Sequence, residues 1–497
     1  MIQYLLTTTR HPAEVLVLPF FEDGDFQKNI QPLSTLNFES VFSLIATQDF
    51  VGKLGTVQFA YTGEDEMPRI LLLGLGKKSD FTRRNCKAVF SAATIACQNK
   101  KITDVALLLN QDLLDIWSAE QLLQEIVVGV ERANYSYDMH KQKDTRVVSL
   151  TDWQFVVSDF GKEKKEMQKG IEEGTLIAES LNWARTLGNT PPSIMTPGLL
   201  ASEAQTIAQK NPLVKVKIFS QKEIEKLKMG CLLGVAQGSI HEPKFIVVEY
   251  FGGKQKDAPT VFVGKGITFD SGGLSLKPAD ALMDMKYDML GGATVLGIIR
   301  AAAALGIKKN IVALVPTCEN MPSGSSYRPD DILTAMDGKT ILVENTDAEG
   351  RLILADALCY AAKYNPKEVI DMATLTGHCC FALGNERSGL FTQHEALAQK
   401  LQNTSANVGE HLWRLPLGEE YTEAIKCEVA DLRNLGGVGS PRYGCASTAA
   451  ALLESFTSYP WAHIDMSCSH YNGKGKAWIR GGANGFGVET FVEYLKS

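Results

Sequence analysis

The sequence predicts an α/β protein built from two domains. Three observations predict it. The chain has 497 residues, too many for one ordinary core at roughly 150 residues per domain. Short apolar runs of strand length alternate with helical patterns throughout. A stretch at Lys162–Trp183, charged at its start and amphipathic later, separates two halves that each show this alternation.

In the first half, EVLVLPF (14–20), RILLLGL (69–75) and VALLLN (105–110) read as strands. Arg83–Cys97 and Ala119–Arg132 read as helices, and together these predict an α/β domain over residues 1–160 with no dense polar constellation. Residues 161–188 follow as a linking helix, which NTPPSIMTP (189–197) must end because proline cannot continue a helix. In the second half, 189–497, the strands are VKVKIF (214–219), FIVVEYF (245–251), TVFVGKG (260–266), IVALVPT (311–317) and VIDMATL (369–375). Helical patterns at Ala293–Ala304 and Leu352–Lys363 alternate with them, without internal repeats. The polar residues of this half collect where strands end, which is where open α/β sheets bind ligands.

Composition narrows the function classes. The net charge of −7 argues against holding nucleic acid by bulk charge, although a local basic patch stays open. MIQYLLTTTRHPAEV lacks the basic and apolar regions of a secretory signal, and no apolar run is long enough to span a bilayer. The 10 cysteines form no CxxC pair, so buried reduced thiols and a cytoplasmic location are expected.

Residues 345–352 read NTDAEGRL, placing Asp347, Glu349 and Arg351 at alternate positions. On an extended segment that spacing puts all three side chains on one face. The expectation is therefore an extended stretch, ILVENTDAEG, followed by a helix starting near Leu352. Two converging carboxylates need a cation between them. Arg351 alone could supply it, so a structural salt-bridge cluster stands beside a metal site as a reading of this octapeptide.

A second stretch, GKGITFDSGGLSLKP (264–278), adds Lys265, Asp270 and Lys277, and Asp288 follows before a helical run. Four carboxylates, Asp270, Asp288, Asp347 and Glu349, match the charge of two divalent ions, a recurrent hydrolytic device. The charges balance if one lysine binds as a neutral amine. With no HExxH or HxxxH among the 8 histidines, the oxygen-rich set suits Mg, Mn or Zn held by carboxylate. His378, His463 and His470 are expected to support the metal ligands from behind or to support structure. No GxGxxG, GxxxxGK[ST] or GxSxG motif competes. Met283, Met285 and Met289 read as core or pocket wall.

At these stretches the sequence resembles the M17 leucyl aminopeptidase (cytosol aminopeptidase) family, whose signature NTDAEGRL is intact here. GKGITFDSGGLSLKP and MPSGSSYRPDDILTAMDGKT (321–340) also match, and the resemblance is dense over about residues 175–400. The resemblance implies a mixed-sheet catalytic domain flanked by helices behind a smaller, macro-like α/β N-terminal domain, assembled as a homohexamer. It implies that Lys265, Asp270, Asp288 and Glu349 hold the tighter metal, and Asp270, Asp347 and Glu349 the more exchangeable one. Lys277 and Arg351 are then catalytic cations that ligate no metal, with Arg351 holding a bicarbonate that shuttles the proton.

Met285, Thr374, Leu375 and Gly377 match positions lining the pocket for the first side chain, with a core role equally open for Met285 and Leu375. The implied substrates are peptides with leucine or another apolar N-terminal residue. Two departures bear on that preference. The family's frequent HxDxAG is HIDMSCSHY (463–471) here, and its ATG-containing end is GGANGFG (481–487). Two readings compete with the aminopeptidase. One is a regulatory, DNA-binding protein on the same scaffold, against which all seven implied metal and catalytic residues are retained. The other is a two-metal phosphoesterase, which would ordinarily use histidine ligands.

Overall fold

A computed structural model describes residues 2–26, 38–440, 443–471, 473 and 475–497. The chain forms two compact units, Met1–Asn182 with Lys474–Arg480, and Trp183–Gly473 with Gly481–Ser497. The division falls within one helix, Lys164–Asn189, where the sequence placed a linking helix over 161–188.

In the first unit the strands are β1 (Gln3–Thr7), β2 (Val15–Phe21), β3 (Val57–Tyr61), β4 (Arg69–Gly76), β5 (Asp104–Leu108) and β6 (Asp152–Val156). They form one sheet in the order β1-β6-β5-β2-β4-β3, parallel except for β3 at the edge. All of β2 is buried, as expected of an inner parallel strand covered on both faces. Its alternation shows the two cores. Val15 and Val17 pack with the helices Arg83–Asn99 and Ala119–Asn134, while Leu16, Leu18 and Phe20 pack on the opposite face with Phe50 and Met67.

The second unit adds β7 (Val214–Phe219), β8 (Lys244–Phe251), β9 (Thr260–Gly264), β10 (Gly266–Asp270), β11 (Asn310–Asn320), β12 (Ile332–Thr334), β13 (Thr340–Leu342), β14 (Glu368–Ala373), β15 (Ser388–Phe391), β16 (Leu412–Arg414), β17 (Leu432–Arg433) and β18 (Trp461–Asp465). Nine of these make a mixed sheet in the order β16-β15-β18-β14-β9-β11-β8-β7, with β10 also beside β11. The central strands β9, β10, β11, β14 and β18 run parallel, so their carboxyl ends share one edge of the sheet. Strand β8 runs against both β11 and β7, and β15 runs against β18 but parallel to β16. Helix Leu290–Ala304 is buried along most of its length, and helix Gly350–Ala361 enters the same core as Val261, Val263 and Leu314. Such all-round burial explains why these helices are apolar rather than amphipathic.

All 10 cysteines are free thiols, seven of them buried. Among the described residues no helix is long and apolar enough to cross a membrane.

Candidate metal centre

The shared carboxyl edge delivers the site. Lys265 follows the last residue of β9, Asp270 ends β10, Asn320 ends β11, Thr374 follows β14 and Asp465 ends β18. A strand separates Lys265 from Asp270, where the sequence suggested only a turn. Asp288 lies on the 3-10 turn Met285–Met289 that leads into helix Leu290–Ala304.

The octapeptide folds differently from its alternating pattern. Strand β13 stops at Leu342, Glu349 already has helical dihedrals as N-cap, and helix Gly350–Ala361 takes in Arg351. Asp347 and Glu349 still converge, but Arg351 leaves that face and donates from a terminal guanidinium nitrogen to the Asn434 carbonyl at 2.9 Å. The extended expectation fails because the chain turns at residues 346–348, where Ala348 N–H bonds back to the Asn345 carbonyl and Asp347 N–H to the Asn345 side chain. An Asx turn of this kind competes with strand continuation.

Five of the seven implied metal and catalytic residues, all except Arg351 and Asp288, surround one point. Oxygens of Asp270, Asp347 and Glu349 lie within 4.8 Å of one another. Lys277 Nζ is 2.8 Å from Asp270 and also pairs with Asp347. Lys265 Nζ bridges Glu349 and Asp288 at 2.7 Å each, which ties Asp288 into the cluster. Lys265, Asp270, Asp288 and Glu349 are buried, and Asp347 and Lys277 are half-buried.

Glycine makes room at two points. A Cβ on Gly350 would lie 2.5 Å from Lys265 Cε, so glycine lets the lysine pass the start of the helix without shifting its outer carbons. Gly272 has φ +87 and faces Asp347, which the loop returning from Ser271 to Lys277 requires.

The electrostatics are unbalanced. Burial would lower the Lys265 pKa, but Asp288, Glu349 and Asp270 outweigh it and hold the side chain as an ammonium. The same carboxylate surplus holds Lys277 above its ordinary value against its burial. In the protein alone the surrounding negative charge holds both lysines as ammoniums, and the neutral amine is expected only of a lysine that binds metal. Burial, then Asp270 and Glu349, push Asp347 up to about 6 despite Lys277. Burial, opposed by Lys265, raises Asp288 as well. Four carboxyl groups face two lysines, two more acids than cations in a mostly buried cluster, and a pure salt-bridge cluster has no reason to carry that excess. The donor set, oxygen-rich with one amine, fits hard divalent cations.

The implied catalytic Arg351 is buried and its Nε–H meets no acceptor. Burial lowers its pKa and Glu349 opposes this. Among the implied pocket residues, Thr374 donates from its hydroxyl to Asp288 at 2.8 Å and accepts from Lys265 through its carbonyl at 3.2 Å. Leu375 packs against the core and Gly377 is exposed at the start of a short helix. Met285 is half-buried and Met289 fully buried, but Met283 is 74% exposed and so is not core. His378 is exposed, His463 pairs with Asp371 at 2.5 Å, and His470 stacks on Tyr287.

The sequence reading missed Asn320, whose amide donates to Asp270 and to the Thr346 carbonyl, both at 2.9 Å. It also missed Asn434, which receives Arg351, and Asp465. Asn320 and Asp465 carry a readable signal, a polar residue closing an apolar strand, as Asp270 does.

Residues 182–492 match the profile of the cytosol aminopeptidase family catalytic domain, and residues 17–144 that of its N-terminal domain. The chain belongs to the cytosol aminopeptidase family. A probable cytosol aminopeptidase of Paraburkholderia phymatum is 42% identical over 489 residues, covering 97% of this chain and 94% of its own length. One from Histophilus somni is 38% identical, covering 97% and 96%. Among solved structures, a mutant tomato leucine aminopeptidase superposes with TM-score 0.86 at 31% identity, covering 100% of this chain and 96% of its own. The bottromycin maturation enzyme BotP in complex with Mn gives 0.83 at 29%, covering 97% and 99%. This cytosol aminopeptidase family member is therefore a peptidase, a hydrolase of the metal-dependent aminopeptidase class.

Proposed function

We propose that this aminopeptidase releases N-terminal leucine and other apolar residues from peptides, using two divalent metal ions, Mn or Zn with Mg as a third option. The observation that carries the reading is the surplus of carboxylate over ammonium in the buried cluster at the sheet edge. Lys265, Asp270, Asp288 and Glu349 would hold one ion, and Asp270, Asp347 and Glu349 the other. When bound, such ions acidify water and polarise a carbonyl. The chain's own residues do the rest. Lys277, a raised-pKa ammonium at the half-buried edge of the cluster, is suited to stabilising the oxyanion of the tetrahedral intermediate. Arg351, buried with an open Nε–H, is suited to anchoring bicarbonate as the proton shuttle, since no side chain of the cluster is free to act as base.

Thr374, Leu375, Gly377 and Met285 would line the pocket for the first side chain, which supports apolar preference. Catalysis would reside in 189–497, with 1–160 as the N-terminal domain and 161–188 linking them. Exposed apolar side chains in the catalytic unit, Phe381 at 89% and Leu276 at 59%, support assembly as a homohexamer. The relatives' name supports a cytoplasmic site of action. Nothing favours membrane contact or a nucleic-acid partner.

The test is hydrolysis of leucine p-nitroanilide by chelator-treated protein with Mn²⁺, Zn²⁺ or Mg²⁺ returned, alongside Lys277→Ala. Activity lost with chelator, restored by metal and low in K277A is expected. Activity indifferent to chelator, or absent from folded wild type with every metal, overturns the reading.

A further inference from the structure

We propose that Asp465 is a positioning residue of this site, acting through the loop Thr374–Thr376; the inference rests on the aminopeptidase reading above. Asp465 is 1% exposed and closes β18 directly beside Ala373, the last residue of β14. Beyond Ala373 the chain leaves the sheet, so the next amides have no ladder partner. Asp465 takes them. One carboxylate oxygen accepts from Leu375 N–H at 3.1 Å and Thr376 N–H at 3.3 Å, and the other accepts from the Thr376 hydroxyl at 2.6 Å.

The loop held in this way is the one that reaches the cluster. Its first residue, Thr374, donates to Asp288 and receives Lys265. Its last, Thr376, caps the helix Gly377–Leu383 by accepting from Cys379 N–H at 3.1 Å. Asp465 therefore sets the position of Thr374 against Asp288 and Lys265 on one side and of Leu375 and Gly377 on the other, through bonds to the loop between them. A carboxylate suits the task because it alone accepts from three donors while donating to none. Loss of such an anchor displaces a site by fractions of an ångström, enough to slow chemistry without unfolding the protein.

Asp356 is the comparator. It is 0% exposed and accepts backbone N–H groups of Leu232, in the first turn of helix Gly230–Ala236, and of Met336, in a turn, at 2.9 and 2.8 Å, so it anchors backbone by the same chemistry without touching 374–376. Wild type, D465N, D465A and D356N, each loaded with Mn²⁺, are assayed on leucine and alanine p-nitroanilides. Amide hydrogen exchange is followed over residues 374–383.

D465N is expected to lose at least about tenfold in kcat on the leucine substrate, to change the leucine-to-alanine ratio of kcat/KM at least about threefold, and to exchange faster over 374–383. D465A is expected to lose more, with asparagine recovering part because it keeps one oxygen acceptor. D356N is expected to lower Tm while staying within about threefold of wild type on both substrates. Wild-type-like kinetics and exchange in folded D465N, or equal kinetic losses in D465N and D356N, overturn the proposal. An inactive wild type overturns the aminopeptidase reading instead, and the exchange comparison then still decides whether Asp465 holds the loop.

Discussion

Among the described residues each unit has a buried cluster in which acids and bases meet around shared partners, and the two clusters differ in make-up. In the first unit, Glu125, 0% exposed, accepts ion pairs from Arg83 at 2.7 Å and Lys87 at 3.2 Å, all on two packed helices. In the second, four carboxylates share two lysines at similar distances. Distances alone would not tell a structural ion cluster from a metal site. The charge balance does. At the metal centre, where carboxyl groups outnumber lysines, burial first and then Asp270 and Glu349 raise the Asp347 pKa, and burial raises Asp288 against the pull of Lys265. A third buried acid, Asp356, has backbone N–H donors in place of a cation, and burial outweighs them to push it up to about 7.

The comparison can be broken at its strong end first. Glu349→Ala removes the carboxylate shared by both proposed ions and should lower kcat/KM on leucine p-nitroanilide by at least about a thousandfold, with bound Mn²⁺ lost in parallel. Retained activity would mean that the charge surplus has no catalytic purpose. Arg351→Ala should lower kcat by roughly ten- to a hundredfold and leave the Mn²⁺ content unchanged, since Arg351 bonds to Asn434 rather than to the carboxylates.

Glu125→Ala should do the reverse. It removes the buried carboxylate that pairs with Arg83 and Lys87 and should cost about 3–5 kcal/mol in denaturant unfolding of the first unit, while activity of the folded protein persists. The smallest effect belongs to Asp356. Its folded pKa lies above the ordinary value, so its ionised form opposes folding. Its contribution to stability is greatest below about pH 4 and is lost as pH rises through about 7. The Tm advantage of wild type over Asp356→Asn should therefore shrink between pH 5 and pH 8, and a gap that widens would contradict the raised pKa.

Much of this was legible in sequence because the chemistry is local. NTDAEGRL and GKGITFDSGGLSLKP hold five of the six charged residues of the cluster in two short stretches, and strand-end placement follows from the apolar runs before them. The alternation argument failed at Arg351 because an Asx turn and a helix start replace the extended chain, and neither alters the spacing in sequence. The Arg83–Lys87–Glu125 cluster was invisible for another reason. Glu125 lies on the second helix, 42 residues from Arg83, and on each helix alone a charge reads as solvated surface. Asp465 and Asn434 serve the site from 90 and 83 residues away from their partners, a distance that only the folded sheet closes.

The central claim is that the carboxylate surplus exists to hold metal. Chelator-stripped protein titrated with Mn²⁺ by calorimetry tests it most directly, with Glu349→Ala and Glu125→Ala measured alongside. The account predicts two ions per chain in wild type and in Glu125→Ala, and loss of at least one in Glu349→Ala. Absence of binding in folded wild type, or equal binding in all three proteins, would contradict it.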